Sequence, residues 1–531
     1  MKNHWNDKLL KTESLSPKIN YWHLGILFLL VLFCRTWQIT HTEVAARDSI
    51  GYIRYAWNLG NTSDIVGLMR ESHQHPGFPF AIHLFSKPLS YLTGFNQVDA
   101  YQFSSQMVSV VFSLAMIFPL YFLFCRLVGD KPGFWGVLIF QTLPATSKVL
   151  GDGLSEAMFL FFAACALFFV VKGFQENQRF CFLLGGLFSG ISYLVRPEGL
   201  IISIAGCLIC FVQAIKKDEQ TSGRFISKIF PLAMLLLGTF IVCAPFMMAI
   251  GKLTSKPTGQ KILETAQEGH PQFLVAGVFQ VPVIADWWTG NSQGGFQKIL
   301  WSARVVMEAY IKGFNYIGSF YLFVGLHVAL KAWTNKPEYW FLVVCLIGLN
   351  LAFYRVASVA GYLSERHAML ALMILSGWCA MGGDSLQNFL VEKVAHSSKP
   401  IHWVSFSWLL FLLVTAFGWK GLETLHYNRE GFKQAGNWLS RETLPGDPVD
   451  DPYCWSHYHA GRVFVEGRTD LPHSNPRVRY VVVERSKNPH VRLQTFSEKD
   501  LIQQGGTVVF EHKSKKKGTP EAIVVYKVIV P

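Results

Sequence analysis

The sequence predicts a polytopic α-helical membrane protein of about eleven transmembrane helices with a small extramembrane α/β domain at its C-terminal end. Three observations lead there. The composition is 51% hydrophobic and only 16% charged, whereas soluble domains carry roughly 25% charged residues. Apolar runs long enough to cross hydrocarbon recur up to about residue 420. The basic residues also concentrate in alternate connecting segments, the pattern that orients membrane proteins. A surplus that includes 43 Phe and 16 Trp needs lipid as its solvent. A disordered chain, a collagen-like chain and an ordinary water-soluble enzyme are excluded.

A bilayer core of about 30 Å calls for roughly 20 apolar residues in a helix. The first run, 21–39, follows a polar, basic stretch at 1–20 and lacks a small-residue cleavage site. It is expected to remain as an anchor. Further runs cover 103–125, 133–150, 154–171, 181–195, 198–215, 229–250, 314–330, 338–354, 367–383 and 401–419. Segment 77–93 is apolar but contains Pro79, Lys87 and Pro88, which predicts an interfacial or re-entrant element. With the N-terminus inside, the short inner segments hold Lys2, Lys8, Lys11, Lys18, Arg126, Lys131, Lys172, Arg179, Lys216, Lys217, Arg224, Lys228, Lys331, Lys336, Lys393 and Lys399. The net charge of +13 is therefore mostly a topology signal, and nucleic acid is not an expected partner. The same topology makes 40–102 and 251–313 long outer loops of a membrane domain at 21–419, and puts 420–531 outside. Long ordered loops usually carry function. In the tail, a helical stretch from Arg429 to Arg441 precedes a Pro/Asp-rich turn at 445–452. β-like runs follow at Val478–Glu484, Thr507–Glu511 and Ala522–Val530. Nine of the ten cysteines sit in apolar stretches, and neither a disulfide framework nor zinc-type spacing is present.

The chemistry-bearing residues stand at span ends. The first outer loop begins with Arg47, Asp48, Tyr52 and Tyr55. A carboxylate there suits a general base or a cation ligand, and equally the cap of a helix starting at Ser49. Further on, His73 and His75 precede a Pro-Gly-Phe-Pro turn. They suit a metal or a phosphate, or are ordinary interfacial histidines. Asp152 and Glu156 are four residues apart at the start of a span, a spacing that puts both on one helix face or makes a capping arrangement. Arg196 and Glu198 interrupt a long apolar run, either facing a polar cavity or snorkelling to water. Arg366 and His367 form another charged edge, a phosphate clamp or a plain anchor. In the tail, Asp447, Asp450, Asp451, His457 and His459 include metal-binding residue types, but Asp/Pro-rich turns are usually just turns. The predicted topology puts all these groups on one side, which suits an anionic, membrane-embedded ligand.

These residues, in this order, resemble the GT-C superfamily of polytopic glycosyltransferases, in particular the family 39 type. That group includes protein O-mannosyltransferases and lipid A aminoarabinose transferases. The resemblance rests on Asp48 with Tyr52, on His75–Pro79, on Asp152–Glu156 (Asp-Gly-Leu-Ser-Glu) and on Tyr193–Gly199 (Tyr-Leu-Val-Arg-Pro-Glu-Gly), with Ser364–His367 as a looser element. It covers roughly residues 20–420. It implies a polyprenyl-phosphate-linked sugar donor, a lipid, glycan or protein acceptor, and inversion at the anomeric carbon. It further implies Asp48 as catalytic base, Arg196 and Arg366 on the lipid phosphate with His75 as helper, and Asp152 near the sugar or a metal. The chain departs from many relatives where Gln74–Gly77 replaces a Glu-Lys-Pro-Pro element, which leaves a divalent metal open. The implied location is a bacterial inner membrane with the site on the periplasmic side. The competing readings are a transporter or flippase of lipid-linked glycans, and a GT-C-related glycan ligase. A transporter would carry ionisable groups near the middle of several spans, whereas here they gather at span ends.

Overall fold

The computed structural model describes residues 19–215, 225–256, 260, 296–331, 336–360, 362–395, 407–486, 496–514 and 520–530. The basic stretch before residue 19, most of the loop 251–313, and Lys216, Lys217, Arg224 and Lys399 lie outside the described residues.

The first helices are α1 (Tyr21–Thr40), α2 (Arg47–Asn61), α3 (Ile65–Glu71), α4 (Gly77–Thr93), α5 (Gln97–Ala115), α6 (Ile117–Val128), α7 (Asp130–Thr142) and α8 (Pro144–Gly151). Then follow α9 (Glu156–Glu176), α10 (Arg179–Val195), α11 (Leu200–Ile215), α12 (Phe225–Ile250), α13 (Phe296–Gly313), α14 (Ile317–Lys331), α15 (Pro337–Ala360), α16 (Met369–Ala395) and α17 (Trp408–Gly421). Every predicted apolar run is mostly helical where described. Among the described residues, seven helices are long and apolar enough to cross a membrane alone: Tyr21–Thr40, Gln97–Val128, Glu156–Glu176, Pro197–Ile215, Ile229–Ile250, Pro337–Ser358 and Met369–Val391. An eighth span arises only from a pair, Ile299–Gly313 and Ile317–Lys331, bent by 103°. Asn315 and Tyr316, with φ of 51° and 59°, make that bend. The other three predicted spans become shorter helices. The run 133–150 breaks between α7 and α8 at Pro144, which has no N–H to continue the ladder. α10 and α17 have 17 and 14 residues. The expected eleven are thus seven or eight full spans plus shorter apolar helices. Segment 77–93 forms α4, which lies against α2 and α5.

Close helix contact is built on small residues, since lipid supplies no hydrophobic drive between helices. A Cβ at Gly186 on α10 would strike the carbonyl oxygen of Leu235 on α12, and one at Gly238 would strike that of Leu183. Ion pairs gather at the end of the bundle away from the candidate residues. Arg126 Nη2 meets Glu176 Oε1 at 2.5 Å, and Lys131 Nζ meets Asp384 Oδ1 at 2.7 Å. One charge breaks the expected pattern. Arg35 on α1 is fully buried and donates to Ser113, Gln38, Ser147 and Gln141. Neutral acceptors saturate it, so it holds α1, α5, α7 and α8 together and presents no charge to a pathway.

The C-terminal part contains α18 (Glu430–Glu442), β1 (Val449–Asp450), α19 (Trp455–His459), β2 (Val478–Arg485), α20 (Glu498–Gln503), β3 (Thr507–Lys513) and β4 (Ala522–Ile529). The predicted helix and the three predicted strands all form. The sheet order is β1-β2-β4-β3, with β1 parallel to β2 and the other pairs antiparallel. Val478, Tyr480, Val482, Ile523 and Val525 face one core, while Val481, Val483, Val524, Tyr526 and Val528 face another with Leu501. The first of these cores also takes in Val44, Ala45, Ile50 and Ile53 from the chain around the start of α2. The domain therefore shares a core with the segment that leads from α1 into α2.

Candidate active site

Five charged side chains from four places in the sequence form one alternating chain. Arg366 Nη1 lies 2.6 Å from Asp48 Oδ2, and its Nε donates to Glu156 Oε1. The same Glu156 oxygen accepts Arg196 Nη1 at 2.5 Å, and Arg196 Nη2 donates to Glu198 Oε1 at 3.0 Å. Glu156 is 1% exposed, whereas the Asp48 side chain is 58% exposed. The network is thus buried at its centre and open at Asp48. Burial opposes the charge of Arg366, but Glu156 and Asp48 outweigh it and hold the guanidinium more firmly protonated than usual.

Local structure explains the placement. Asp48 stands in the first turn of α2, and the cap position is Ala46, without a side-chain cap bond. The capping alternative for Asp48 is therefore replaced by its pairing with Arg366. Asp152 and Glu156 do not share a helix: α8 ends at Gly151 and α10's predecessor α9 starts at Glu156, with a turn between. Gly153 in that turn has a φ of 65°, and a Cβ there would come 2.5 Å from Ser105 Oγ. Ser155, which the capping arrangement expects to bond backbone, instead lies 2.9 Å from the Tyr52 hydroxyl. Tyr52 is buried edge-on against Phe78, and burial with the nearby Glu156 charge pushes its phenol up to about 12. Tyr55 is also buried, its hydroxyl without a hydrogen-bond partner among the described residues.

The remaining expected residues divide. His367 is half-buried beside Arg196, Glu198 and Arg366 around a small cavity, and its Nδ1 is 2.8 Å from Ser364 Oγ. Burial, then Arg196, pushes its imidazole down to about 4. His75 does not offer itself to a phosphate. Its Nδ1 is 2.8 Å from the Tyr193 carbonyl and its Nε2 is 2.9 Å from Thr254 Oγ1. Burial, then Lys256, lowers it to about 3, so it stays neutral. His73 is exposed. Arg47 points to the C-terminal domain, 3.3 Å from the Pro452 carbonyl. Arg196 and Arg366 are both occupied by carboxylates, not free clamps.

Two residues that the sequence reading passed over enter the site. Lys256, on the loop that His75 braces through Thr254, lies within electrostatic reach of Arg196, Glu198, Glu156 and Arg366, yet makes no ion pair among the described residues. Burial, then Arg196, lowers it to about 8. Lys252, Lys261, Lys298, Arg304 and Lys312 share the predicted loop 251–313 with it, so nothing in the sequence singles it out. His426 Nε2 lies 2.8 and 3.0 Å from the two oxygens of buried Asp152. Nothing local marks it. In the tail, Asp447 accepts Ser474 N at 2.7 Å and Asp451 accepts His457 N at 3.0 Å, so these carboxylates build turns. Among the described residues, no three of His, Cys, Asp and Glu gather so as to hold a metal.

A family model described as dolichyl-phosphate-mannose-protein mannosyltransferase matches residues 76–248. That stretch contains Asp152, Glu156, Arg196 and Glu198, but neither Asp48 nor Arg366. No curated protein sequence matches the chain. Solved structures share its fold over nearly its whole length. ArnT from Cupriavidus metallidurans, bound to undecaprenyl phosphate, superposes with a TM-score of 0.56 at 12% identity, covering 95% of this chain and 97% of that one. The apo oligosaccharyltransferase of Archaeoglobus fulgidus gives 0.54 at 11% identity, over 95% and 76% of the two chains. The same enzyme tethered to an acceptor peptide gives 0.50 at 12% identity, over 88% and 69%. This chain is an integral membrane protein with the fold of the GT-C glycosyltransferases, the superfamily that its motifs resemble.

Proposed function

We propose that the protein is an inverting glycosyltransferase that moves a sugar from a polyprenyl-phosphate donor to an acceptor hydroxyl. It would act at the outer face of a membrane, taken here as the periplasmic side of a bacterial inner membrane. The observation that carries this reading is the graded network itself: a half-exposed carboxylate, Asp48, at the open end of a buried charge chain beside a cation, Lys256, that makes no ion pair among the described residues. Asp48 takes the acceptor proton as the acceptor oxygen attacks C1 of the sugar. The C1–O bond to phosphate breaks on the opposite face, and the electron pair leaves with the lipid phosphate. Lys256 compensates the charge that develops there. Glu156 and Glu198 keep Arg366 and Arg196 in place, and His75 braces the Lys256 loop.

The test is transfer from labelled polyprenyl-phosphate sugars, read by mass spectrometry, in wild type and in Asp48→Asn. Loss of a general base costs about 10²–10⁴-fold in rate. A correctly inserted Asp48→Asn protein with full activity would overturn the role of Asp48, and wild type inert toward every donor would overturn the transferase reading.

A further inference from the structure

His426 belongs to no spanning helix. It sits on the short link between α17 and the C-terminal domain, with its side chain partly exposed and its Nε2 against both oxygens of Asp152. A carboxylate only accepts hydrogen bonds, so Nε2 is the protonated nitrogen in this arrangement. The backbone of His426 is left-handed, φ 54° and ψ 25°. A non-glycine residue adopts that conformation only when its surroundings hold it there.

The surroundings are specific. Leu425 N donates to the His41 carbonyl at 3.0 Å, and Glu43 N donates to the Leu425 carbonyl at 3.1 Å. Just upstream, Trp37 Nε1 donates to the Leu422 carbonyl and Gln38 Nε2 to that of Gly421, each at 2.9 Å. Downstream, Lys433 Nζ reaches the Glu43 carbonyl at 3.1 Å. This clip ties the link to the end of α1 and to residues 41–43, the chain that runs directly into Asp48. One backbone arrangement thus sets the approach to Asp48 and delivers an imidazole to Asp152.

We propose that His426 is a positioning residue, which fixes the orientation of the Asp152 carboxylate beside the Arg366–Glu156 network and makes the C-terminal link part of the active site. The proposal rests on the glycosyltransferase reading above. Burial favours the protonated form of Asp152 and His426 opposes it, so loss of the imidazole weakens both the aim and the charge of this carboxylate.

The experiment uses the full-length protein in detergent with four variants: His426→Ala, His426→Gln, Asp152→Asn and the double Asp152→Asn/His426→Ala. Glutamine places an amide N–H near the position of Nε2 and is the conservative replacement. The proposal expects kcat to fall at least about tenfold in His426→Ala, with the donor KM little changed, and to recover in good part in His426→Gln. It also expects the melting-temperature shifts of the two single variants to be non-additive in the double. Additive shifts overturn the pairing whatever the kinetics show. Unchanged kcat in His426→Ala overturns the positioning role, as does equal loss in the Ala and Gln variants that tracks their melting temperatures. Wild type inert toward all polyprenyl-phosphate donors overturns the transferase reading and this role together. That outcome appears in the wild-type sample alone, and so is separable from failure of the pair.

Discussion

Glu156 accepts two guanidinium groups on one carboxylate oxygen, while its other oxygen is buried without a hydrogen-bond partner among the described residues. Removing its charge leaves Arg196 and Arg366 facing each other inside the protein. Breaking a buried ion pair typically costs about 3–5 kcal/mol, so Glu156→Gln is expected to lower the melting temperature markedly and to abolish transfer. A melting curve of the purified variant checks this. Lys256 makes the opposite prediction, a binding loss without a stability loss. A charge-assisted hydrogen bond is worth about 1.5–3 kcal/mol, so Lys256→Met is expected to weaken polyprenyl-phosphate binding about tenfold or more. The sign with pH follows from its environment. Its ammonium is lowered to about 8, so wild-type affinity falls as pH rises through that value and the cation is lost. A phosphomonoester's second ionisation, near pKa of about 6, is essentially complete below that range. Titration of binding between neutral and alkaline pH should show the step in wild type and none in Lys256→Met.

Legibility at this scale followed chemistry and failed on distance. Asp48, Glu156, Arg196, Glu198 and Arg366 stood out because a charge at a span end is costly unless it is used. Their wiring did not. Arg196 and Arg366 lie 40 and 210 residues from the glutamate they share. The capping explanations of Asp48 and of Ser155 with Glu156 were sound local alternatives, and tertiary partners displaced both. His75 was noticed for its chemistry, but the structure uses it as a brace.

At the scale of elements, hydrophobicity located most apolar helices and the strands but did not set their lengths, and it left α13 inside the predicted loop 251–313. Pro144 splits one run, and the left-handed Asn315 and Tyr316 fold another back at a sharp angle. The contact of α10 with α12 is the element most exposed to a single substitution. Gly186→Val places a branched side chain against the α12 backbone, and overpacking of this kind costs about 1–3 kcal/mol. Gly25→Ala on α1, with open space around it, is expected to be neutral or slightly stabilising, since alanine is the better helix former. Parallel melting curves of the two variants check the contrast, and equal shifts would count against the close approach.

For the whole molecule, the decisive feature is the seating of the C-terminal domain on the segment from Val44 to Ile53. Trp455 packs in the core shared with Ala45, Ile50 and Ile53, and its Nε1 donates to the Ala45 carbonyl at 2.8 Å. Arg54 and Glu466 pair at 2.8 Å across the same interface. Trp455→Ala removes a large buried aromatic, a change that costs about 3–5 kcal/mol. It is expected to loosen the domain from α2 and to lower transfer although Trp455 lies outside the charge network. Limited proteolysis should cut the link near residues 420–430 faster in the variant.

The sequence by itself determined the solvent, the helices, the strands and the candidate groups. Apolar surplus, run length and alternation are local properties that any fold of this chain must respect. It also determined that the charged groups belong at span ends, because hydrocarbon penalises them elsewhere. Only the tertiary structure decided which charge neutralises which, that Lys256 lies within reach of the Arg196–Glu156 network, and that His426 meets Asp152 from 274 residues away. Coulomb and hydrogen-bond energies depend on separation in space, and separation along the chain carries little of that information once helices have packed.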